Sequence, residues 1–168
     1  MGAAAQGLSA NRYTVIPRVL VFPLNPDGQV LLLQGSPGKR IWAGLWNGIG
    51  GHVEAGESVL DAARRELWEE SGLTAENWTF CGQVSVDTRE KTGIAFFVFR
   101  AELLTGQLLE SAEGSLRWFN LDELGNFPVV EDLPVLLGKA ARTATGGQPF
   151  WGVYRYDARD QLVMSFSA

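Results

Sequence analysis

Three carboxylates, Glu66, Glu69 and Glu70, stand at i, i+3 and i+4 in the run Arg65-Glu-Leu-Trp-Glu-Glu70. On a helix they share one stripe, where like charges repel by roughly 0.2–0.5 kcal/mol per pair. A glycine-rich segment, Gly48-Ile-Gly-Gly51, lies just upstream. A charge cluster of this kind beside such a loop calls for a cationic partner. An all-oxygen donor set suits a hard divalent ion; Mg2+ commonly brings substrate phosphates with it, and Mn2+ takes the same ligands. The chemistry implied is metal-assisted work on phosphates.

The elements that must position these groups are readable nearby. Ser58-x-x-Asp61 has the form of a helix N-cap with an acidic residue at N3, a variant of the capping box. Leu60, Ala63 and Leu67 follow as an apolar stripe, and Gly72 can end the helix in the left-handed region. Buried strands are expected at Val19–Leu24 and Val30–Leu33, joined by the turn residues Asn25-Pro-Asp-Gly28. Residues 35–56 read as a loop with short extended pieces. Further strands are expected at Phe80–Val86, Ile94–Arg100 and Leu116–Phe119; Ile94–Arg100 is apolar on both faces and so interior. Leu133, Leu136, Leu137, Ala140 and Ala141 mark a second amphipathic helix. Phe150–Tyr156 and Gln161–Phe166 read as a hairpin around Asp157–Asp160. The expectation is a loose arm over residues 1–12 and one domain over 13–168, an α/β/α sandwich around a mixed β-sheet.

At 168 residues the chain can bury about two-thirds of its unfolded surface. With 46% hydrophobic and 20% charged residues it has an ordinary globular composition. A net charge of −5 offers no basic footprint for a nucleic-acid polymer or an anionic membrane. The lone Cys81 precludes an internal disulfide and a cysteine-based zinc site. No basic segment leads into an apolar core near the start, and no run approaches the roughly 18 apolar residues of a membrane helix. These features predict a cytoplasmic, soluble protein.

The segment from Gly51 to Leu73 resembles the signature of the Nudix hydrolases, Gly-x5-Glu-x7-Arg-Glu-U-x-Glu-Glu-x-Gly-U, with U a bulky aliphatic residue. Gly51, Glu57, Arg65, Glu66, Leu67, Glu69, Glu70, Gly72 and Leu73 fill the fixed positions. From average residue usage, a chance match is on the order of one in ten million. The resemblance implies the same α/β/α fold, and hydrolysis of a diphosphate bond in a nucleoside diphosphate linked to another moiety. It implies metal ligation by Glu66, Glu69, Glu70 and the Gly51 carbonyl, with Glu69 as the base drawn from this set. Glu57 and Arg65 match positions that pair to hold the loop against the helix. Glu113, in the loop entering the Leu116–Phe119 strand, matches a further metal-binding glutamate; otherwise it is a solvated loop residue like Glu110.

The likeness is strongest to the MutT-like branch acting on oxidised purine nucleoside triphosphates, which it extends over roughly residues 18–137. That branch implies base contacts from Asn47 and from the acidic pair Glu131-Asp132. Asn47 also suits a turn, and Asp132 also suits a cap of the helix beginning at Leu133-Pro134. Val129-Val130 stands where those enzymes carry a base-stacking tryptophan, a departure that bears on 8-oxoguanine selectivity. His52 and the six tryptophans are read as loop or packing residues, and Cys81 as a buried strand residue. A P-loop is excluded, since Gly51-x4-Gly56 is followed by Glu57 where a lysine is required. The alternatives are an ADP-ribose or nucleoside diphosphate sugar hydrolase, a pyrimidine triphosphate hydrolase, and a non-catalytic nucleotide sensor. No proline lies between Pro37 and Pro128, which counts against ADP-ribose. The box keeps its carboxylates, which counts against the sensor. A monomer and a homodimer are both compatible with the sequence.

Overall fold

The computed structural model describes residues 7, 12–38, 41–109 and 114–167. Eight strands and two helices follow in the order β1 (Thr14–Pro23), β2 (Val30–Gly35), β3 (Trp46–Asn47), α1 (Val59–Ser71), β4 (Leu73–Val86), β5 (Thr92–Gly106), β6 (Gly114–Phe119), α2 (Leu133–Arg142), β7 (Phe150–Tyr156) and β8 (Leu162–Ser167). A 3-10 turn, Leu124–Asn126, precedes α2.

Five strands form a mixed sheet in the order β1-β5-β4-β7-β8. β1 runs parallel to β5 and β4 parallel to β7, while β4–β5 and β7–β8 are antiparallel. β5 is flanked on both sides, as its two apolar faces require. A second, antiparallel sheet, β3-β2-β6, goes beyond the single mixed sheet expected. The Asn25–Gly28 turn joins strands that part company, β1 entering the large sheet and β2 the small one.

Each face of the large sheet carries its own core. Val19, Val21 and Phe99 pack with Ala62, Ala63 and Leu67 of α1. Phe22, Val84 and Val98 pack with Leu133, Leu136 and Leu137 of α2. The helices thus sandwich the sheet. Leu67 is fully buried, worth about 1.5–3 kcal/mol on its own. Ala141, assigned to the apolar stripe of α2 from its spacing, is exposed instead, because Leu133, Leu136, Leu137 and Ala140 already fill the buried arc.

β4 begins at Leu73, directly after α1, well before the expected Phe80. Its register shifts between Phe80 and Gly82. This bulge re-aims the second half of the strand: Phe80 packs on the α1 side, whereas Val84 and Val86 face α2. No helix among the described residues is long and apolar enough to cross a membrane.

Candidate active site

Ser58 caps α1 by accepting from the Asp61 N–H, and its hydroxyl donates to the Asp61 carboxylate at 2.7 Å. Gly72, with φ of 73°, ends the helix and donates its N–H to the Trp68 carbonyl; only glycine adopts that angle without cost. Between these caps, Ala62, Ala63 and Leu67 fix one side of α1 to the sheet. Glu66 and Glu70 are buried on this same side of α1, and Glu69 stands at its exposed edge.

Arg65 organises this side. Its Nε donates to Glu57 Oε2 at 3.2 Å and one terminal nitrogen to Glu57 Oε1 at 2.8 Å. That same nitrogen donates to the His52 carbonyl at 2.9 Å. The other terminal nitrogen donates to Glu66 Oε1 at 2.8 Å and Glu69 Oε2 at 3.1 Å. All five guanidinium donors are therefore engaged, which ties the 52–57 loop to the helix. The contact holds the Glu57 carboxyl below its usual range, chiefly through the Arg65 hydrogen bond and next through the Glu54 N–H. Arg65 is held firmly protonated, first by its bond to Glu57.

The glycine-rich segment runs along the outer edge of β1. The Val19 N–H donates to the Gly51 carbonyl at 2.9 Å, and Val21 and Ile49 exchange bonds at 2.7 and 3.1 Å. Residues of this segment alternate between the two faces of the sheet, as in any strand. Ile49 packs on the α1 side, and there the Gly51 Cα lies against the Glu66 carboxylate, so close that a Cβ would fall 2.2 Å from Glu66 Oε1. Gly48 lies against the side chains of Leu20 and Phe22 on the α2 side. The Gly50 N–H donates to Glu70 Oε2 at 3.1 Å. Within four residues, one strand-like segment touches both the carboxylate cluster and the opposite face.

Glu66 and Glu70 are largely buried, while the Glu69 side chain is 47% exposed. As they stand, no three His, Cys, Asp or Glu side chains among the described residues converge at metal-ligating distance: Arg65 draws Glu66 and Glu69, and Glu70 turns to Gly50. The donor set nonetheless fits a hard divalent cation. Every candidate donor is an oxygen, the ligand type that such an ion takes. Glu113 lies outside the described residues.

On the α2 face, the Asn47 Oδ1 accepts from the Gly48 N–H at 2.8 Å, a local turn bond. Glu131 is exposed and Asp132 half-buried. Asp132 occupies the N-cap position of α2 but makes no side-chain cap bond. Burial raises its pKa, opposed by the Tyr154 hydroxyl and reinforced by the charge of Glu131. Sequence reasoning passed over two neighbours on this face. The Tyr154 hydroxyl is buried beside the Asp132 carboxyl, and the Arg18 Nε is buried without a hydrogen-bond partner among the described residues. No motif marks either residue. A groove of about 580 Å3 lined by Lys139, Arg142, Phe150 and Phe166 lies at the other end of α2 and holds no carboxylate.

The NUDIX domain family model matches residues 15–137. The chain is 34% identical over 149 residues to the oxidized purine nucleoside triphosphate hydrolase of Danio rerio, covering 86% of this chain and 88% of that one. The mouse (Mus musculus) protein of the same name is 34% identical over 155 residues, covering 88% and 90%. Among solved structures, the MutT protein of Bacillus halodurans superposes with a TM-score of 0.74 at 27% identity, over 90% of this chain and 97% of that one. Complete signature, arrangement of strands and helices, and similarity over most of both chains agree, and the chain belongs to the Nudix hydrolase family, MutT-like in kind, acting on pyrophosphate bonds.

Proposed function

We propose that this protein is a Mg2+-dependent hydrolase of nucleoside triphosphates, with an oxidised purine such as 8-oxo-dGTP as the leading substrate, releasing the monophosphate and pyrophosphate. Mn2+ would substitute. The observation that carries the reading is the Asn47–His52 segment, which spans from the carboxylates of α1 to the α2 face. A nucleotide has the same layout, with phosphates at one end and a base at the other. The similarity to two oxidized purine nucleoside triphosphate hydrolases supports the choice of substrate.

Glu66, Glu69, Glu70, the Gly51 carbonyl and Glu113 would hold the metal. When bound, such an ion supplies charge for the phosphate oxygens and lowers the pKa of a ligated water. The protein's own groups do the rest. Arg65 keeps the loop and helix in register through Glu57 and the His52 carbonyl. Glu69, half-exposed, accepts the proton of the attacking water and passes it to solvent. Water oxygen bonds to phosphorus as the bond to the bridging oxygen breaks, and pyrophosphate leaves.

On the α2 face, Asn47 uses its carbonyl locally and keeps its amide N–H groups for a base. Glu131 and Asp132 offer acceptors to an N–H edge. Val129 bridges to Trp46 and Val130 is buried. The segment before the acidic pair is therefore spent on packing and offers the base no aromatic face, an observation that favours a broader second reading with unmodified or pyrimidine triphosphates. Acidic overall, the enzyme acts on free nucleotides in the cytoplasm as a monomer or homodimer.

The test is pyrophosphate and phosphate release from 8-oxo-dGTP, dGTP, dCTP, dUTP and ADP-ribose, with Mg2+ and with EDTA. The highest kcat/KM for 8-oxo-dGTP, lost in EDTA, supports the proposal. A preference for ADP-ribose, or no turnover, contradicts it.

A further inference from the structure

Asp132 holds the N-cap position of α2, where an aspartate ordinarily accepts from the N–H groups two or three residues on. It makes no such bond, and its φ and ψ of −88° and −11° give the reason. A capping residue is extended, which turns its side chain back over the first turn, whereas Asp132 is already helical. Pro134 stands in that first turn and has no N–H to satisfy. The helix does without this carboxylate, and the side chain is directed to another neighbour.

That neighbour is Tyr154 of β7, whose hydroxyl is buried against the Asp132 carboxyl. The Tyr154 ring stands edge-on to Phe96 and Phe166, with centroids 5.8 and 6.0 Å away, and the residue is 3% exposed. A ring packed in this way is a rigid mount for its hydroxyl. Burial, and next the charge of Asp132, keep the phenol protonated, so it presents a proton to the carboxylate. Asp132 itself is only half-buried. The segment before it is fixed as well. Trp46, edge-on to Phe119 at 4.8 Å, donates its N–H to the Pro128 carbonyl at 2.9 Å and accepts from the Val130 N–H at 3.0 Å. Asn47 follows Trp46 and Asp132 follows Val130 by two residues, so the two proposed base contacts share one backbone frame.

We infer that Tyr154 is a positioning residue for base binding, its hydroxyl anchoring the Asp132 carboxylate and setting the direction in which that carboxylate meets the base. This rests on the proposed nucleotide reading and deepens it. A carboxylate has acceptor sites for more than one donor, so the Tyr154 contact leaves capacity for an N–H edge of the base. Being buried, Tyr154 acts only through Asp132. An anchored side chain loses less freedom when the ligand arrives than an unanchored one. The base does not take part in the chemistry, so the benefit falls equally on ground state and transition state and appears in KM.

The experiment measures kcat and KM for whichever of 8-oxo-dGTP, dGTP, dCTP and dUTP is turned over best. The enzymes are the wild type, Tyr154→Phe, Asp132→Asn and the double variant, with urea unfolding of each. Tyr154→Phe removes one oxygen and keeps the ring packing, and KM does not depend on how much of the enzyme is folded. KM should rise roughly three- to tenfold in Tyr154→Phe, as expected for one hydrogen bond, with kcat within about twofold of wild type. Asp132→Asn should raise KM at least as much. Once Asp132 is changed, Tyr154→Phe should add less than about twofold, because the two act as one unit. A Tyr154→Phe enzyme with wild-type KM overturns the inference. So does a double variant whose KM rises by the product of the two single effects, and so does a loss confined to kcat. Each of these would leave triphosphate hydrolysis standing. A wild type that turns over no triphosphate overturns the nucleotide reading, and this inference with it.

Discussion

Gly51→Ala isolates the contact between the glycine-rich segment and the carboxylates. The added Cβ would stand 2.2 Å from Glu66 Oε1 and 2.5 Å from its carboxyl carbon, whereas ordinary contact begins near 3.4 Å. The carboxylate must therefore retreat by about 1.2 Å, the difference between those distances. Misplacing a catalytic group by about 1 Å can cost on the order of a hundredfold in rate, equivalent to about 2.7 kcal/mol in the barrier. Stability should suffer less. The obstructing atoms are the end of a flexible side chain, so the cost is about 1 kcal/mol, at the low end for overpacking, or a Tm lower by about 2–4 °C. Gly50→Ala makes the contrast. Its Cβ would meet the backbone carbonyl of Val19 at 2.1 Å, and the β1 edge cannot yield as a side chain can. Steady-state pyrophosphate release and thermal unfolding of both variants check the argument. Gly51→Ala should lose turnover and keep its fold, and Gly50→Ala should unfold at the lower temperature. A Gly51→Ala enzyme with kcat within about threefold of wild type would refute the assignment of Glu66 to the chemistry.

Two other outcomes come from the same geometry. Arg65→Lys replaces five donors in a fixed fork with three on a point charge, so kcat should fall at least about tenfold in pyrophosphate release although charge is conserved; full activity would mean the fork is dispensable. Asp132→Asn tests the buried carboxyl at the start of α2. Its folded-state pKa is raised above the ordinary 3.8, so the wild type has full stability below that value and loses some as pH rises through the folded pKa. Urea midpoints between about pH 4 and pH 7 should show the Asn variant gaining on wild type as pH rises, then holding a constant lead; a lead that shrinks with pH would reverse the sign of the argument.

Much of the scaffold was legible because it is locally encoded. Ser58, Asp61, the Leu60–Leu67 stripe and Gly72 delimit α1 through neighbouring residues alone. The terminal hairpin is set by alternation around Asp157–Asp160, whose Asp157 Oδ1 accepts from the Arg159 and Gln161 N–H groups. The hidden features depend on partners far along the chain. Nothing in Asn25–Gly28 says that β1 and β2 enter different sheets. The first half of β4, Thr74-Ala-Glu-Asn77, has no apolar run, and it is a strand because β5 extends to Gly106 beside it. The site divides in the same way. Its carboxylates sit in one short motif, with Arg65 among them. Tyr154 stands on β7 with no motif around it, and only the sheet order, which sets β7 beside β4, brings its hydroxyl to Asp132. Asp132 shows the limit of local reading, since a residue well placed to cap α2 directs its carboxyl elsewhere.

The central claim is that the α1 carboxylates carry out the hydrolysis, and Glu70→Gln tests it most directly. The substitution keeps the shape, and an amide oxygen can still accept from the Gly50 N–H, while the charge is removed. Pyrophosphate release with saturating Mg2+ should fall by at least about a hundredfold, with the thermal transition still cooperative. Near-wild-type turnover in a folded Glu70→Gln protein would contradict the account.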